Sequence, residues 1–121
     1  MNEGAADRVR AICLALPEVV EKTSHGAPAF FVRKQFVMLW PDGHHDHDFP
    51  HLWCAAEPGA QEALVAESDR FFRPPYVGHR GWVGVRLDID LDWTELTELI
   101  ADAYRVVAPK RLGALLDQEL R

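Results

Sequence analysis

The stretch QFVMLW, residues 35–40, limits what this chain can become. As a strand it places Phe36, Met38 and Trp40 on one face and Val37 and Leu39 on the other. Both faces are apolar, so it reads as a central strand rather than a water-facing one. AFFV, residues 29–32, precedes it across Arg33 and Lys34, and the two read as a tight hairpin.

The remaining elements follow from period and punctuation. Val9, Ile12, Cys13 and Leu16 recur at helical spacing, which predicts a helix over 5–16 ended by Pro17. VVEKTSH, 19–25, reads as a short exposed strand, and Gly26-Ala27-Pro28 as a turn. Pro41-Asp42-Gly43 is a second turn signal, and HLWCA, 51–55, is the returning strand. Pro58 suits the first turn of a short helix over 59–68. Prolines and glycines break residues 70–88 into a strand near 71–73, a loop, and a strand from Trp82 to Leu87. In the latter, Val83, Val85 and Leu87 point one way, Trp82 and Arg86 the other. Asp92, with Glu95 three residues on, opens the clearest helix, whose stripe runs through Leu96, Leu99, Ile100, Ala103, Tyr104 and Val107. Pro109 interrupts it, and a last helix spans 110–121. This order predicts an α+β fold, an antiparallel sheet covered by helices on one face.

A length of 121 residues suits a single domain, 1–121, and 48% hydrophobic with 26% charged residues is ordinary for a folded globular unit. No apolar run approaches the roughly 20 residues of a spanning helix, so no membrane partner is expected. The start reads as an amphipathic helix rather than a signal peptide, which makes the cytoplasm the expected compartment. Cys13 and Cys54, far apart and in apolar surroundings, read as reduced buried thiols.

Four of the six histidines lie in PDGHHDHDFPHLWC, residues 41–54. His45 and His47 would project to one side of an extended chain, and with Asp42, Asp46 or His51 they offer a metal ligands of the right type. The spacing matches no established metal motif, so a solvated hairpin loop is the plainer reading and no metal site is assigned. RPPYVGHRGW, residues 73–82, interleaves Arg73, His79 and Arg80 with Tyr76 and Trp82, a composition suited to phosphate contact and base stacking. The plainer alternative packs the two aromatics on the sheet edge and leaves the arginines in water.

The net charge of −6, with histidines neutral, allows nucleic-acid binding only through a segregated basic face. Arg33-Lys34 and Lys110-Arg111 are candidates to join the 70–86 segment in such a face, while acids gather at Asp88, Asp90, Asp92, Glu95 and Glu98. For catalysis the chain is poor. Ser24 and His25 are neighbours, but adjacency is not triad geometry, and no Walker, Rossmann or nucleophile-elbow motif occurs. No catalytic residue and no cofactor is assigned, and the chain is expected not to be an enzyme.

LPEVVEKTSHGAPAFFVRKQFVML, FRPPYVGHRGWVGVRLD and ELIADAYRVVAPKRL, in that order, resemble the MmcQ/YjbR family over about residues 8–113. The resemblance implies a CyaY-like α+β sandwich with a double-wing arrangement, usually labelled DNA-binding. It implies binding positions at Lys34, Arg73, Tyr76, His79, Arg80 and Trp82. The HHDHDFPH loop departs from the family pattern and looks like a variable hairpin tip. Three functions are therefore weighed. The first is DNA contact, mostly through phosphate. The second is capture of a small planar or anionic ligand by Trp40, Trp53, Tyr76 and Trp82 with Arg73 or Arg80. The weakest is metal carriage by the acids or the histidine loop.

Overall fold

A computed structural model describes residues 3–44 and 46–119. Its elements run α1 (Glu3–Leu14), β1 (Val20–Ser24), β2 (Ala27–Val32), β3 (Lys34–Trp40), β4 (His51–Cys54), α2 (Ala60–Glu67), β5 (Phe71–Phe72), β6 (Val83–Arg86), α3 (Trp93–Val107) and α4 (Lys110–Glu119). The strands form one sheet in the order β1-β2-β3-β4-β6-β5, and every neighbouring pair is antiparallel. β3 and β4 are the two central strands, as the apolar character of QFVMLW on both faces requires.

The side chains beneath the helices are mainly aliphatic. Leu39 pairs with Leu52 and Val37 with Cys54; Leu52 in turn faces Val85, and Cys54 faces Val83. Ile100, Tyr104, Leu112, Val9 and Cys13 from α3, α4 and α1 complete this fully buried core. Tyr104 carries the one polar group deep in α3, and its hydroxyl donates to the Pro17 carbonyl at 2.9 Å. That bond ties α3 to the turn after α1. Burial raises the pKa of both thiols, and Cys54 is pushed up to about 12, so both cysteines stay protonated.

Four local readings are corrected. The turn before β2 is His25-Gly26, not Gly26-Ala27-Pro28: φ is 52° and 79° at the two residues, and Ser24 pairs with Ala27 across them. Two successive positive φ values match the twist of a two-residue hairpin, so Ala27 and Pro28 join the strand. α1 ends at Leu14, two residues before the predicted stop, because the chain already turns at 15–18 to bring Pro17 under Tyr104. Pro58 precedes α2 rather than opening it, since Gly59 at φ 88° is the cap. Phe36 leaves the face it was assigned. Phe30 pairs with Val37 but Phe31 with Gln35, so Phe36 is the extra residue of a bulge. Its ring meets Tyr104 edge-on at 5.7 Å, on the helical side.

Met38, Trp40, His51, Trp53, Gly84 and Phe72 share the other face by register. Two loops, 41–50 and 73–81, approach that face from opposite ends of the sheet.

Candidate functional site

The 73–82 segment is shaped from beneath by Gln61, a buried residue of α2. Its amide nitrogen donates to the carbonyls of Gly78, at 2.9 Å, and Trp82. Its amide oxygen accepts from Arg73 Nη1 at 3.3 Å. One side chain therefore holds both ends of the 78–82 turn and orients an arginine. Sequence reasoning missed Gln61, because a lone glutamine in a short helix carries no pattern. Gly78 is needed for the same arrangement: a Cβ there would lie 2.8 Å from Arg73 Cγ. The Arg73 stem lies in that space.

Tyr76 stands out of this segment, 67% exposed. Its φ is 64°, and the Val77 N–H donates across it to the Pro75 carbonyl at 2.6 Å, a three-residue turn that is strained for any side-chain-bearing residue. Arg80 and His79 are exposed on the following 3₁₀ turn. Trp82 is 4% exposed; it underlies Arg80, whose guanidinium carbon sits 5.3 Å from the ring centroid.

Register places Lys34 at this same end of the sheet, since the start of β3, the end of β4, the start of β6 and the end of β5 lie side by side. Lys34 lies two strands across from β6 and three residues beyond Val37, which is the residue level with Cys54 and Val83, so it is offset along the sheet end as well as across it. Arg33, Lys34, Arg73 and Arg80 make no ion pair among the described residues. Five other arginines do: Arg10 with Glu21 at 2.9 Å, Arg70 with Glu95 at 2.7 Å, Arg86 with Asp88 at 2.7 Å, Arg105 with Asp102 at 2.9 Å and Arg111 with Glu18 at 3.2 Å. Lys110-Arg111 therefore does not extend the basic face, because it lies on the helical layer with Arg111 held by Glu18. Arg70 and Arg86 are likewise occupied.

The histidine loop is not a solvated tip. It folds back onto the sheet, with Gly43 at φ 89° so close to Asp48 that a Cβ would meet its backbone at 2.7 Å. His44 fills the space among Trp40, Trp53 and Tyr76, at centroid distances of 4.7, 5.4 and 6.0 Å. It occupies the centre of three of the four rings proposed to line an aromatic pocket. His47 lies 4.4 Å from Phe72 and 5.9 Å from His51. His51 is fully buried, with its Nδ1 2.7 Å from the Phe49 carbonyl. Burial lowers its pKa, against a smaller opposing effect of that hydrogen bond. Trp40 Nε1, Trp53 Nε1, His47 Nδ1 and His51 Nε2 are buried with no hydrogen-bond partner among the described residues.

No three His, Cys, Asp or Glu side chains among the described residues form a set able to hold a metal, and His45 lies outside those residues. Ser24 Oγ lies 3.0 Å from His25 Nδ1 in an exposed hairpin turn, with no carboxylate bonded to that histidine among the described residues. A separate groove of about 1100 Å³ lies in the helical layer between Arg8, Ile12, Leu16, Trp93, Ala101 and Leu116. No helix among the described residues is long and apolar enough to cross a membrane.

A six-stranded antiparallel sheet backed by helices defines an α+β protein. The chain belongs to the YjbR family, whose model matches residues 14–106. Its fold is similar to the crystal structure of the Deinococcus radiodurans protein DR2400, which carries the family-model domain DUF419. The TM-score is 0.67 at 22% identity, over 84% of this chain and 76% of that one. No curated protein matches the chain.

Proposed function

We propose that this chain binds nucleic acid, DNA in the first instance, through Arg33, Lys34, Arg73 and Arg80, mostly by contact with phosphate. The supporting observation is the segregation of charge. The chain is acidic as a whole, yet Arg33, Lys34, Arg73 and Arg80, the basic side chains at one end of the sheet, have no carboxylate partner among the described residues, whereas five other arginines do; the remaining cations without one, Arg8, Lys22 and Lys110, are scattered over α1, β1 and α4. An arginine already held by a carboxylate must break that pair to meet a phosphate; an unpaired one need not. His79 and Tyr76, both exposed beside them, complete the surface, and Gln61 fixes its shape.

The test is fluorescence anisotropy with a labelled random duplex at about 20 and 200 mM salt. Four phosphate contacts give a slope of log affinity against log salt of roughly −3.6, so binding should fall by about 4,000-fold between the two conditions. Arg73→Ala with Arg80→Ala should weaken binding uniformly across sequences and reduce the slope by about 2. Absence of binding at the lower salt to duplex and single strand alike, or binding indifferent to salt, rejects the proposal.

A further inference from the structure

Granting nucleic-acid binding at this surface, we infer that Tyr76 is a stacking platform for an unpaired base, so that the preferred ligand is single-stranded.

The turn does not explain the tyrosine. At φ 64° a glycine or asparagine would meet the backbone requirement at less cost. Nor does the core explain it, because two thirds of the side chain is in water. A bulky aromatic has been placed at a strained position where it gains little by burial, and strain of this kind accompanies function more often than it accompanies packing. The setting is also stiff. Pro74 and Pro75 precede the ring, Gln61 anchors the turn that follows, and His44 braces the ring edge-on from the opposite loop at 6.0 Å. A ring held in this way loses little freedom when something stacks on it.

The ligand chemistry follows from the neighbours. Arg73 and Arg80 flank Tyr76 in the sequence, both exposed and neither paired with a carboxylate among the described residues. An exposed aromatic ring with two arginines three and four residues away along the chain, neither held by a carboxylate among the described residues, fits a base with its phosphates, the pairing used by surfaces that bind single strands. A duplex gives the ring nothing, because its base faces are already stacked and only edges show in the grooves. The elements around Tyr76 are a turn and a 3₁₀ segment of three residues, which have no length with which to fill a major groove. The long helix α3 lies on the opposite layer and carries Glu95, Glu98 and Asp102 outward.

The experiment uses the full chain, a labelled 20-nucleotide oligothymidylate and a labelled 20-base-pair duplex, by anisotropy at about 20 mM salt. The single strand should bind at least about tenfold more tightly than the duplex. Tyr76→Ala should lose between about fivefold and about a hundredfold on the single strand and little on the duplex, and Tyr76→Phe should retain the preference. Tyr76→Gly removes the ring while relieving the turn, so its equal loss would show that the ring, not a disturbed loop, carries the effect. Equal or tighter duplex binding, or a single-strand affinity indifferent to Tyr76, overturns this inference and leaves the phosphate reading standing. Binding to neither oligonucleotide overturns both.

Discussion

The two faces of the sheet are built on the same alternation and covered by different things. One face lies under α1, α3 and α4, is mostly aliphatic, and its one deep hydroxyl, that of Tyr104, finds the Pro17 carbonyl. The other face is covered by two loops and is made of indole, imidazole and phenyl rings, with four buried nitrogens lacking partners among the described residues. Aliphatic side chains ask only for area, and a regular helical stripe supplies it. Rings with polar atoms ask for partners as well, and an unmatched nitrogen costs roughly 1–3 kcal/mol. The helical face therefore reads as the stabilising one, and the loop face as the one that gives up stability to shape a surface.

That contrast can be broken at Phe36, where the bulge turns a ring to the helical side. Phe36→Ala should cost about 3–5 kcal/mol in chemical denaturation, the loss expected of a fully buried aromatic. A loss under 1 kcal/mol would mean that the bulged strand relaxes and the helical face is not the principal core.

On the loop face the tightest point is Gly84, where a Cβ would stand 2.3 Å from the Phe72 ring. Gly84→Ala should cost about 1–3 kcal/mol, because Phe72 cannot retreat from His47 without opening the ring cluster. Combining it with Phe72→Leu should recover part of that loss, and a denaturation series over the two single variants and the pair measures it.

His51 sharpens the comparison through pH. Its pKa in the fold lies below the ordinary value, chiefly from burial, so the unfolded chain binds more protons between that lowered value and about 6.5. Stability should be fully present above about 6.5 and fall as pH drops through that window, by at most about 1.4 kcal/mol per pH unit. His51→Phe should flatten this limb while changing stability at pH 8 by no more than about 1.5 kcal/mol, the worth of the bond to Phe49. Denaturation midpoints between pH 5 and 8 decide it. Asp88 does not confuse the window, because the Arg86 bond lowers its pKa and moves its own acid-side loss to below about pH 4.

The smallest effect belongs to the helical side. Asp92 caps α3 by accepting from the Glu95 N–H at 3.1 Å, and Asp92→Ala should cost about 1 kcal/mol in thermal or chemical denaturation.

Legibility divided along the same line. α3 was readable from Asp92 to Val107 because a cap and a stripe at helical period are both local signals. QFVMLW announced a central strand for the same reason. The bulge at Phe36 was not readable, since it depends on which residue of β2 faces which of β3. Of the predicted binding positions, Lys34, Arg73, Tyr76, His79 and Arg80 are exposed at one end of the sheet, whereas Trp82 is buried under Arg80. Aromatic and cationic residues at close spacing show that a surface could exist, but not which ring faces water. Gln61 and the inward fold of the histidine loop gave no sequence signal at all.

By itself the sequence determined the elements, their order and the apolar character of the central strands, because period and capping are properties of consecutive residues. Only the tertiary structure decided which cations were left unpaired and which ring stands in water. Both depend on neighbours distant along the chain: Glu18 beside Arg111, Glu95 beside Arg70, His44 beneath Tyr76 and Gln61 between two turns.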